Sequence, residues 1–141
     1  LHIVDSALAE AHALRPGAPL GLLATRGTRH SGLFPKRSGA ATVWFESNED
    51  EQARFVDPGI DAVKRGRIDV GAALLIEAAR CLVRRGAGVL VMGCTEVPLA
   101  LQGQPLEVPA VDTNAALARA CVRWARERAA EAELGSAVAA A

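Results

Sequence analysis

The chain has 141 residues, half of them hydrophobic, which is enough for one domain with a sizeable core and marginal for two. Its 16 Lys and Arg residues balance 16 Asp and Glu residues, and a net charge of zero argues against a nucleic-acid-binding surface and against an acidic tail. No apolar run reaches the roughly 18 residues that a membrane helix requires. Three cysteines do not form a disulfide framework, so the composition predicts a protein of the reducing cytoplasm.

The start of the chain is interpreted as the end of a strand followed by a helix. Leu1–Val4 is a short apolar run, and no secretion signal opens the chain. Asp5 is predicted to cap a helix that continues to Leu14, where Arg15-Pro16-Gly17 breaks it. Because the strand is already under way at the first residue, we expect an N-terminal part to be missing.

Further apolar runs predict the strands of a buried sheet. They are Leu20–Ala24, Ala41–Phe45, Gly88–Met92 and the shorter Val108–Val111. Unbroken runs such as the first and third suit parallel strands that are covered on both faces, because no residue in them has to meet water.

Helical segments alternate with these strands. A short helix that Pro35 interrupts is predicted after the first buried strand, and Asp57-Pro58 is predicted to cap a later one. The longest apolar-periodic stretch ends at Gly86. The predicted later helices span Asn48–Arg54, Asp57–Lys64, Asp69–Arg85 and Asp112 to about Ala132. This alternation predicts an α/β fold with an open, mostly parallel sheet and helices on both faces.

Two polar turns are predicted to lie at the carboxyl edge of the sheet, where open parallel sheets bind their ligands. They are Thr25-Arg26-Gly27-Thr28 and Gly93-Cys94-Thr95-Glu96. Each turn has a glycine that lets the backbone approach a ligand and hydroxyls that can bind a carboxylate or phosphate. Each also precedes a predicted helix, whose free N–H groups favour an anion. The two turns together therefore predict a site for a small anionic molecule.

Cys94 is the strongest chemical candidate in these turns. A helix N-terminus lowers the pKa of a thiol, because the helix dipole stabilises the thiolate by about 0.3–1 kcal/mol. The negative charge of Glu96 would oppose that shift. Taken alone, Cys94 could equally be a small buried residue that ends a strand, and Lys64 a solvated residue at a helix end. Cys81 and Cys121 fall on helix patterns and are interpreted as structural. No Cys/His spacing resembles a metal site.

The run Val91-Met92-Gly93-Cys94-Thr95-Glu96-Val97-Pro98-Leu99 resembles the second cysteine motif of the aspartate/glutamate racemase superfamily. Glu96 in that place is similar to the aspartate racemase branch. Gly21–Gly32 resembles the substrate loop of that branch, Ile60–Gly66 its Lys-x-Gly helix end, and Pro109–Thr113 the strand before its last helix. The order and the separations of these segments agree over nearly the whole chain.

This resemblance implies a cofactor-independent amino-acid racemase that acts on aspartate or glutamate. In such enzymes two cysteines face opposite sides of the substrate α-carbon, and one removes a proton while the other returns one. By resemblance Cys94 is one of these two residues. The residues carried over for substrate binding are Thr25, Gly27, Thr28, Lys64, Thr95 and Glu96.

The resemblance also implies a role for individual substrate-binding residues. Thr25 and Thr28 would hold the substrate carboxylate together with backbone N–H groups of the Cys94–Thr95 turn. Lys64 would contact the side-chain carboxylate, and Glu96 would support the cysteine motif. The implied partner is thus a small amino acid or dicarboxylate, with no nucleic acid, membrane or metal, and a homodimer is compatible with the resemblance.

The sequence departs from the family pattern chiefly at the first cysteine, and in a minor way at Phe34, where the family has Tyr. The first cysteine of the family, in a Cys-Asn-Thr-like motif, does not occur in it, and neither Cys81 nor Cys121 carries that motif. We therefore expect residues 1–14 to be a remnant of a first α/β half, residues 15–111 to form the second half, and residues 112–141 to be a helix returning to the first half, with a frayed tail from Gly135. With one such cysteine, the chain alone is expected to be nearly inactive as a racemase.

Two other functions stay open at this point. One is another enzyme on the same scaffold: a hydantoin racemase, a maleate-type isomerase or a one-cysteine decarboxylase. The other is a catalytically dead module that binds carboxylates or assembles with a partner. The glutamate that follows Cys94-Thr95 favours the amino-acid racemase over the other enzymes on this scaffold.

Overall fold

The strands of the chain are Leu20–Leu23 (β1), Trp44–Glu46 (β2), Val89–Met92 (β3) and Ala110–Asp112 (β4). In the computed structural model, which describes residues 1–139, they form one all-parallel sheet in the order β2-β1-β3-β4. Helices connect each strand to the next. The predicted α/β class is therefore confirmed, and each predicted strand from β1 to β4 exists within a few residues of its expected position.

The helices cover both faces of this sheet. They are α1 (Ile3–Leu14), α2 (Arg26–Ser31), α3 (Leu33–Ser38), α4 (Glu49–Glu51), α5 (Asp57–Lys64), α6 (Ile68–Arg84), α7 (Glu96–Leu101) and α8 (Thr113–Ala139), with a π-helical turn at Gln52–Val56 between α4 and α5. No helix within the described residues is long and apolar enough to cross a membrane.

Successive residues of β3 enter different hydrophobic cores. Leu90 and Met92 belong to a core with residues of α5, α6 and α7, whereas Val89 and Val91 belong to a core with residues of α1 and α3. This follows from the two-residue repeat of a strand, which turns alternate side chains to opposite faces. All four residues of β1 and all four of β3 are buried, which explains why both strands are unbroken apolar runs.

The first element is a helix, so the predicted strand at Leu1–Val4 is wrong. The N-cap of α1 is His2, not Asp5: its Nδ1 accepts a hydrogen bond from the backbone N–H of Val4 at 3.1 Å. A short apolar run cannot by itself distinguish a strand from a helix. Helical spacing prevails here because it buries Val4 together with small residues one and two turns later.

One helical stretch replaces the two helices predicted between residues 48 and 64. α4, the π-helical turn and α5 follow one another without a break. Asp57 therefore has helical backbone angles and is not the predicted cap. Its carboxylate accepts hydrogen bonds from the side chains of Gln52 and Arg26 instead. Pro58 lacks an N–H and crowds the preceding turn of an α-helix, and the wider π turn before it accommodates the ring.

The interruption after β1 is caused by a glycine rather than by Pro35. Gly32 has a left-handed φ of 62° and separates α2 from α3, a backbone conformation that glycine adopts without strain. Pro35 lies in the first turn of α3, where its missing N–H leaves no helical hydrogen bond unmade.

The last helix starts as predicted and continues further than predicted. Asp112 caps it, because its Oδ1 accepts hydrogen bonds from the N–H groups of Asn114 at 2.9 Å and Ala115 at 3.2 Å. α8 runs through Ala139, so most of the segment predicted as a frayed tail is helical, and residues 140–141 of that tail lie outside the described residues. α1 packs against α8. The predicted division of the chain into residues 1–14, 15–111 and 112–141 stays a prediction.

Gly71 makes a close helix crossing possible, and its substitution gives a test of the fold. A Cβ atom there would lie 2.5 Å from Cγ2 of Val63 and 2.9 Å from the carbonyl oxygen of Gly59, whereas at Gly27 it would meet no atom closer than 4.0 Å. We expect Gly71→Ala to lower the free energy of unfolding by about 1–3 kcal/mol, as overpacking does. The matched Gly27→Ala should leave it unchanged or raise it by about 0.4–1 kcal/mol. Urea unfolding followed by circular dichroism measures both values, and equal effects of the two substitutions would contradict the crossing.

Candidate active site

The pairing of β1 with β3 brings the two predicted turns together. Leu23 is opposite Met92 in the register, and the N–H of Gly93 donates to the carbonyl oxygen of Leu23 at 2.9 Å. Both strands end at this bond, and the backbone continues from β1 toward Thr25 and from β3 into Cys94. A side chain at Gly93 would collide with the neighbouring Leu22, so a glycine is required where the two turns part.

Thr25 organises the first turn through its hydroxyl group. It is the N-cap of α2, and its Oγ1 accepts a hydrogen bond from the N–H of Thr28 at 3.3 Å. The hydroxyl oxygens of Thr25 and Thr28 are 3.1 Å apart and hydrogen-bonded to each other. Gly27 lies between them on the exposed side of the turn. The turn thus presents two adjacent hydroxyls, a short spacing suited to the oxygens of one carboxylate.

Cys94 and Thr95 share one hydrogen-bond acceptor in the second turn. The thiol of Cys94 lies 2.9 Å from Oε2 of Glu96, and the hydroxyl of Thr95 donates to the same oxygen at 2.7 Å. Glu96 is the first residue of α7, where a carboxylate is favoured by the helix dipole. Cys94 is half-buried, and it packs against the core that contains α5, α6 and α7.

These contacts keep the proton on the sulfur. Burial raises the pKa of Cys94, and the hydrogen bond to the Glu96 carboxylate raises it further. The same bond from Cys94, with the one from Thr95, lowers the pKa of Glu96. The raised pKa of Cys94 and the lowered pKa of Glu96 agree with each other, since both describe a thiol that donates a hydrogen bond to an ionised carboxylate. The backbone N–H of Glu96, at the start of α7, lowers the pKa of the thiol as expected, but burial and the Glu96 carboxylate outweigh it.

Lys64 supplies the positive charge near this pair. Its ammonium group favours the ionised forms of both Cys94 and Glu96, which lowers their pKa values, although this is the weakest effect on Cys94. Lys64 is exposed at the end of α5 and makes no ion pair with any residue that the structure describes. Its charge is therefore available to a bound anion.

A cleft of about 360 Å³ lies between α2 and α5, beside the two turns. Its lining residues are Thr25, Arg26, Gly27, Asp57, Ile60, Asp61 and Lys64. The structure therefore brings three of the predicted binding residues, Thr25, Gly27 and Lys64, to one cleft. Thr28, Cys94, Thr95 and Glu96 lie outside its lining, in the adjoining turns. Cys81 lies in α6 and Cys121 on the exposed part of α8, and neither residue lines this cleft.

The sequence alone gives no site role to four residues around the first turn. Arg26 pairs with both Glu49 and Asp57, and the amide of Gln52 bonds to Asp57 and to the carbonyl oxygen of Ala24. The sequence pattern gives little indication of their contact, because residues 52 and 57 are five apart and residues with that spacing do not lie on the same face of an α-helix. Thr113 is a further missed residue, since its buried hydroxyl donates to the carbonyl oxygen of Met92 at 3.0 Å. That bond fixes the end of β3 just before Gly93.

Comparison with known proteins identifies a family and related structures. The profile of the Asp/Glu/hydantoin racemase family matches residues 1–121. The solved structure of a candidate Asp/Glu racemase from Yersinia pestis superposes with a TM-score of 0.76 at 26% identity, over 89% of this chain and 55% of that one.

Two further solved structures have the same fold. An aspartate racemase homologue from Pyrococcus horikoshii OT3 gives a TM-score of 0.77 at 20% identity, over 89% of this chain and 56% of that one. The aspartate racemase of Picrophilus torridus gives 0.70 at 22% identity, over 89% of this chain and 52% of that one. The chain thus spans about half the length of the solved structures that it matches.

The thiol–carboxylate pair leads to a pH-dependent prediction. Glu96→Gln removes the charge that holds the proton on Cys94, so the pKa of the thiol should fall and more thiolate should form at neutral pH. We expect Cys94 to be alkylated by iodoacetamide about tenfold faster at pH 7, as the loss of a charged acceptor worth about 1.5 kcal/mol implies. The rate profile of the variant should lie at lower pH than that of the unmodified chain.

Peptide mass spectrometry measures this rate at Cys94, with the exposed Cys121 of the same molecule as a reference for the reagent. Glu107→Gln, which removes the same charge from the connection before β4, is the matched control. An unchanged or slower alkylation of Cys94 in Glu96→Gln would contradict the pair.

Proposed function

The chain belongs to the Asp/Glu/hydantoin racemase family, and we propose that it exchanges the α-proton of a small acidic amino acid, aspartate or glutamate, without a cofactor. The observation that carries the proposal is the position of Cys94. Its thiol lies on a turn directly beside the Thr25 turn, with hydroxyls and the Lys64 ammonium near it. A proton-transfer group and a carboxylate-binding group are therefore neighbours at one edge of the sheet.

The proposed chemistry is proton transfer at the α-carbon. As thiolate, Cys94 removes the α-proton from the face of the substrate that it meets, and as thiol it returns a proton to the same face. Burial and Glu96 raise the pKa of Cys94, so the resting group is the thiol, the form that donates. The thiolate has to form before proton removal, and the charge of Lys64 favours it. This use of a free thiol suits the reducing cytoplasm.

Substrate recognition is proposed for the residues around this thiol. The paired hydroxyls of Thr25 and Thr28, with backbone N–H groups of the Cys94–Thr95 turn, bind the α-carboxylate. Lys64 binds the side-chain carboxylate, because its charge lies at the adjoining cleft and is unpaired among the described residues. Gly27 leaves the exposed side of the turn open to the ligand.

Inversion of the substrate needs a second proton donor on the opposite face of the α-carbon. Cys81 and Cys121 lie on other parts of the fold, so this chain supplies one such group at the site. We therefore propose that the chain alone exchanges the α-proton with retention of configuration and is nearly inactive as a racemase. Full racemisation is proposed only where a second proton-transfer group faces Cys94 across the α-carbon, and the homodimer that the resemblance allows belongs to this proposal as well.

Deuterium exchange tests the proposed reaction. In deuterated water, the chain should introduce deuterium at the α-carbon of one enantiomer of aspartate or glutamate, with little formation of the other enantiomer. Cys94→Ser should reduce this exchange by about 10²–10⁴-fold, the usual contribution of a general acid–base group. Proton NMR measures the loss of the α-proton, and chiral chromatography measures inversion. Cys121→Ser, a substitution on the exposed part of α8, is the matched control.

The other outcomes of that experiment have distinct meanings. Exchange that survives Cys94→Ser would contradict the role of this thiol. Release of carbon dioxide would favour a decarboxylase on the same scaffold. Binding of aspartate without any exchange would favour a module that only holds carboxylates.

The role of Lys64 is tested by comparing a dicarboxylate with a monocarboxylate. Lys64→Gln should weaken the binding of succinate about tenfold, because a charge-assisted hydrogen bond contributes about 1.5–3 kcal/mol, and should leave the weaker binding of propionate nearly unchanged. NMR titration measures both dissociation constants. Arg67→Gln removes an exposed positive charge from the following connection and should affect neither ligand. Equal weakening of both ligands by Lys64→Gln would contradict the assignment.

A further inference from the structure

We propose that Gln52 is a positioning residue for the carboxylate-binding turn, an inference that rests on the proposed function. Gln52 is 1% exposed, so its amide is removed from water and has to find its hydrogen bonds inside the protein. It finds them next to Thr25, at the edge of the sheet where the proposed site lies. Gln52 does not line the cleft itself and acts through the residues that it holds.

The amide nitrogen of Gln52 bonds to two different parts of the structure. Its Nε2 donates to the carbonyl oxygen of Ala24 at 3.1 Å and to Oδ1 of Asp57 at 2.7 Å. An amide nitrogen has two hydrogens, so both are used. The first bond fixes the backbone at the residue before Thr25, where β1 ends and the turn begins.

Asp57 extends this hold to the residue after Thr25. Its Oδ2 accepts hydrogen bonds from Arg26, at 2.9 Å from Nη2 and 3.3 Å from Nε. Arg26 also pairs with Glu49 through its other terminal nitrogen. The residues on either side of Thr25 are therefore tied to one buried amide, directly at Ala24 and through Asp57 at Arg26. The hydroxyl of Thr25 is set by the backbone between them.

The π-helical turn explains how Gln52 and Asp57 can meet. In an α-helix, residues five apart point about 140° away from each other. Here the N–H of Asp57 bonds to the carbonyl oxygen of Gln52, an i to i+5 bond that closes a wider turn. This turn brings the two side chains to the same face, toward the end of β1. The irregular geometry thus has a specific consequence at the proposed site.

The arrangement also fixes the orientation of the Asp57 carboxylate. A carboxylate beside Arg26 alone would be free to rotate, whereas the Gln52 amide holds its second oxygen. Arg26 and Asp57 both line the cleft with Thr25 and Lys64. Because Arg26 is paired with two carboxylates, its charge is compensated within the cleft wall, and Lys64 is the cleft residue left to attract the ligand.

Two substitutions at Gln52 and one at Asp57 test the proposal with succinate as the probe. Gln52→Glu sets a carboxylate against the Ala24 carbonyl and Asp57, and we expect the dissociation constant of succinate at pH 7.5 to rise at least tenfold. Gln52→Met removes both donors at similar size, and the constant should rise severalfold. Asp57→Asn, at a half-buried position, weakens the link to Arg26 but also frees part of the Arg26 charge in the cleft, so its effect is measured by the amide signals of Thr25 and Thr28, which should shift, and not by the affinity. Gln104→Glu, in the exposed connection after α7, is the matched control and should change nothing.

A pH series separates positioning from a loss of stability. The carboxyl group introduced by Gln52→Glu donates a hydrogen bond once it is protonated, so the affinity of that variant, relative to the unmodified chain at the same pH, should recover as the pH falls from 7.5 to 5.5. Gln52→Met has no group that titrates, and its relative affinity should stay low. NMR titration at a temperature where circular dichroism finds each variant folded gives these values, and the amide signals of Thr25 and Thr28 should shift in the Gln52 variants.

Three results would overturn the inference in distinguishable ways. If the unmodified chain binds succinate and both Gln52 variants bind it equally well, the positioning role fails and the proposed function stands. Recovery of Gln52→Met at low pH to the same extent as Gln52→Glu would also refute it. If the unmodified chain does not bind succinate, the proposed function fails and the inference fails with it. Should Gln52→Met not fold, Asp57→Asn and Gln52→Glu decide the outcome.

Discussion

The site depends on the hydrogen bond between the N–H of Gly93 and the carbonyl oxygen of Leu23, the last contact between two parallel strands that are neighbours in the sheet but distant in sequence. Parallel strands leave the sheet at the same edge, so this pairing sets the Thr25 turn beside the Cys94 turn. Gly93 can come close enough to form this bond because it has no side chain that would collide with Leu22. The two turns separate beyond it. Every other feature of the site is arranged around that junction.

The two turns differ in how their polar groups are supported. Cys94 and Thr95 converge on Glu96 within their own turn, an arrangement that needs no help from elsewhere in the chain. The Thr25 turn is held from outside by Gln52 and its partner Asp57. The group proposed to exchange a proton and the group proposed to hold an anion thus have separate supports. Changes in the charge of one need not disturb the geometry of the other.

Burial of the Cys94 thiol fixes its orientation but disfavours the reactive thiolate form. The position of Cys94 against the core keeps it oriented, yet the same burial, with Glu96, raises its pKa. The backbone N–H of Glu96 and the charge of Lys64 act in the opposite direction and lower the pKa of the thiol. The family relationship covers residues 1–121, and the chain spans about half the length of the solved structures that it matches.

The sequence alone determined the strands and the cysteine motif, because fully buried parallel strands are unbroken apolar runs and because the residues around Cys94 are consecutive. It also located both turns at the ends of strands, and Thr25, Gly27 and Lys64 do meet at one cleft. Only the tertiary structure decided that the chain starts with a helix, since four apolar residues fit either element until packing buries one face. It alone revealed the contact of Gln52 with Ala24 and Asp57, because a π turn changes which residues share a face and no regular periodicity records it.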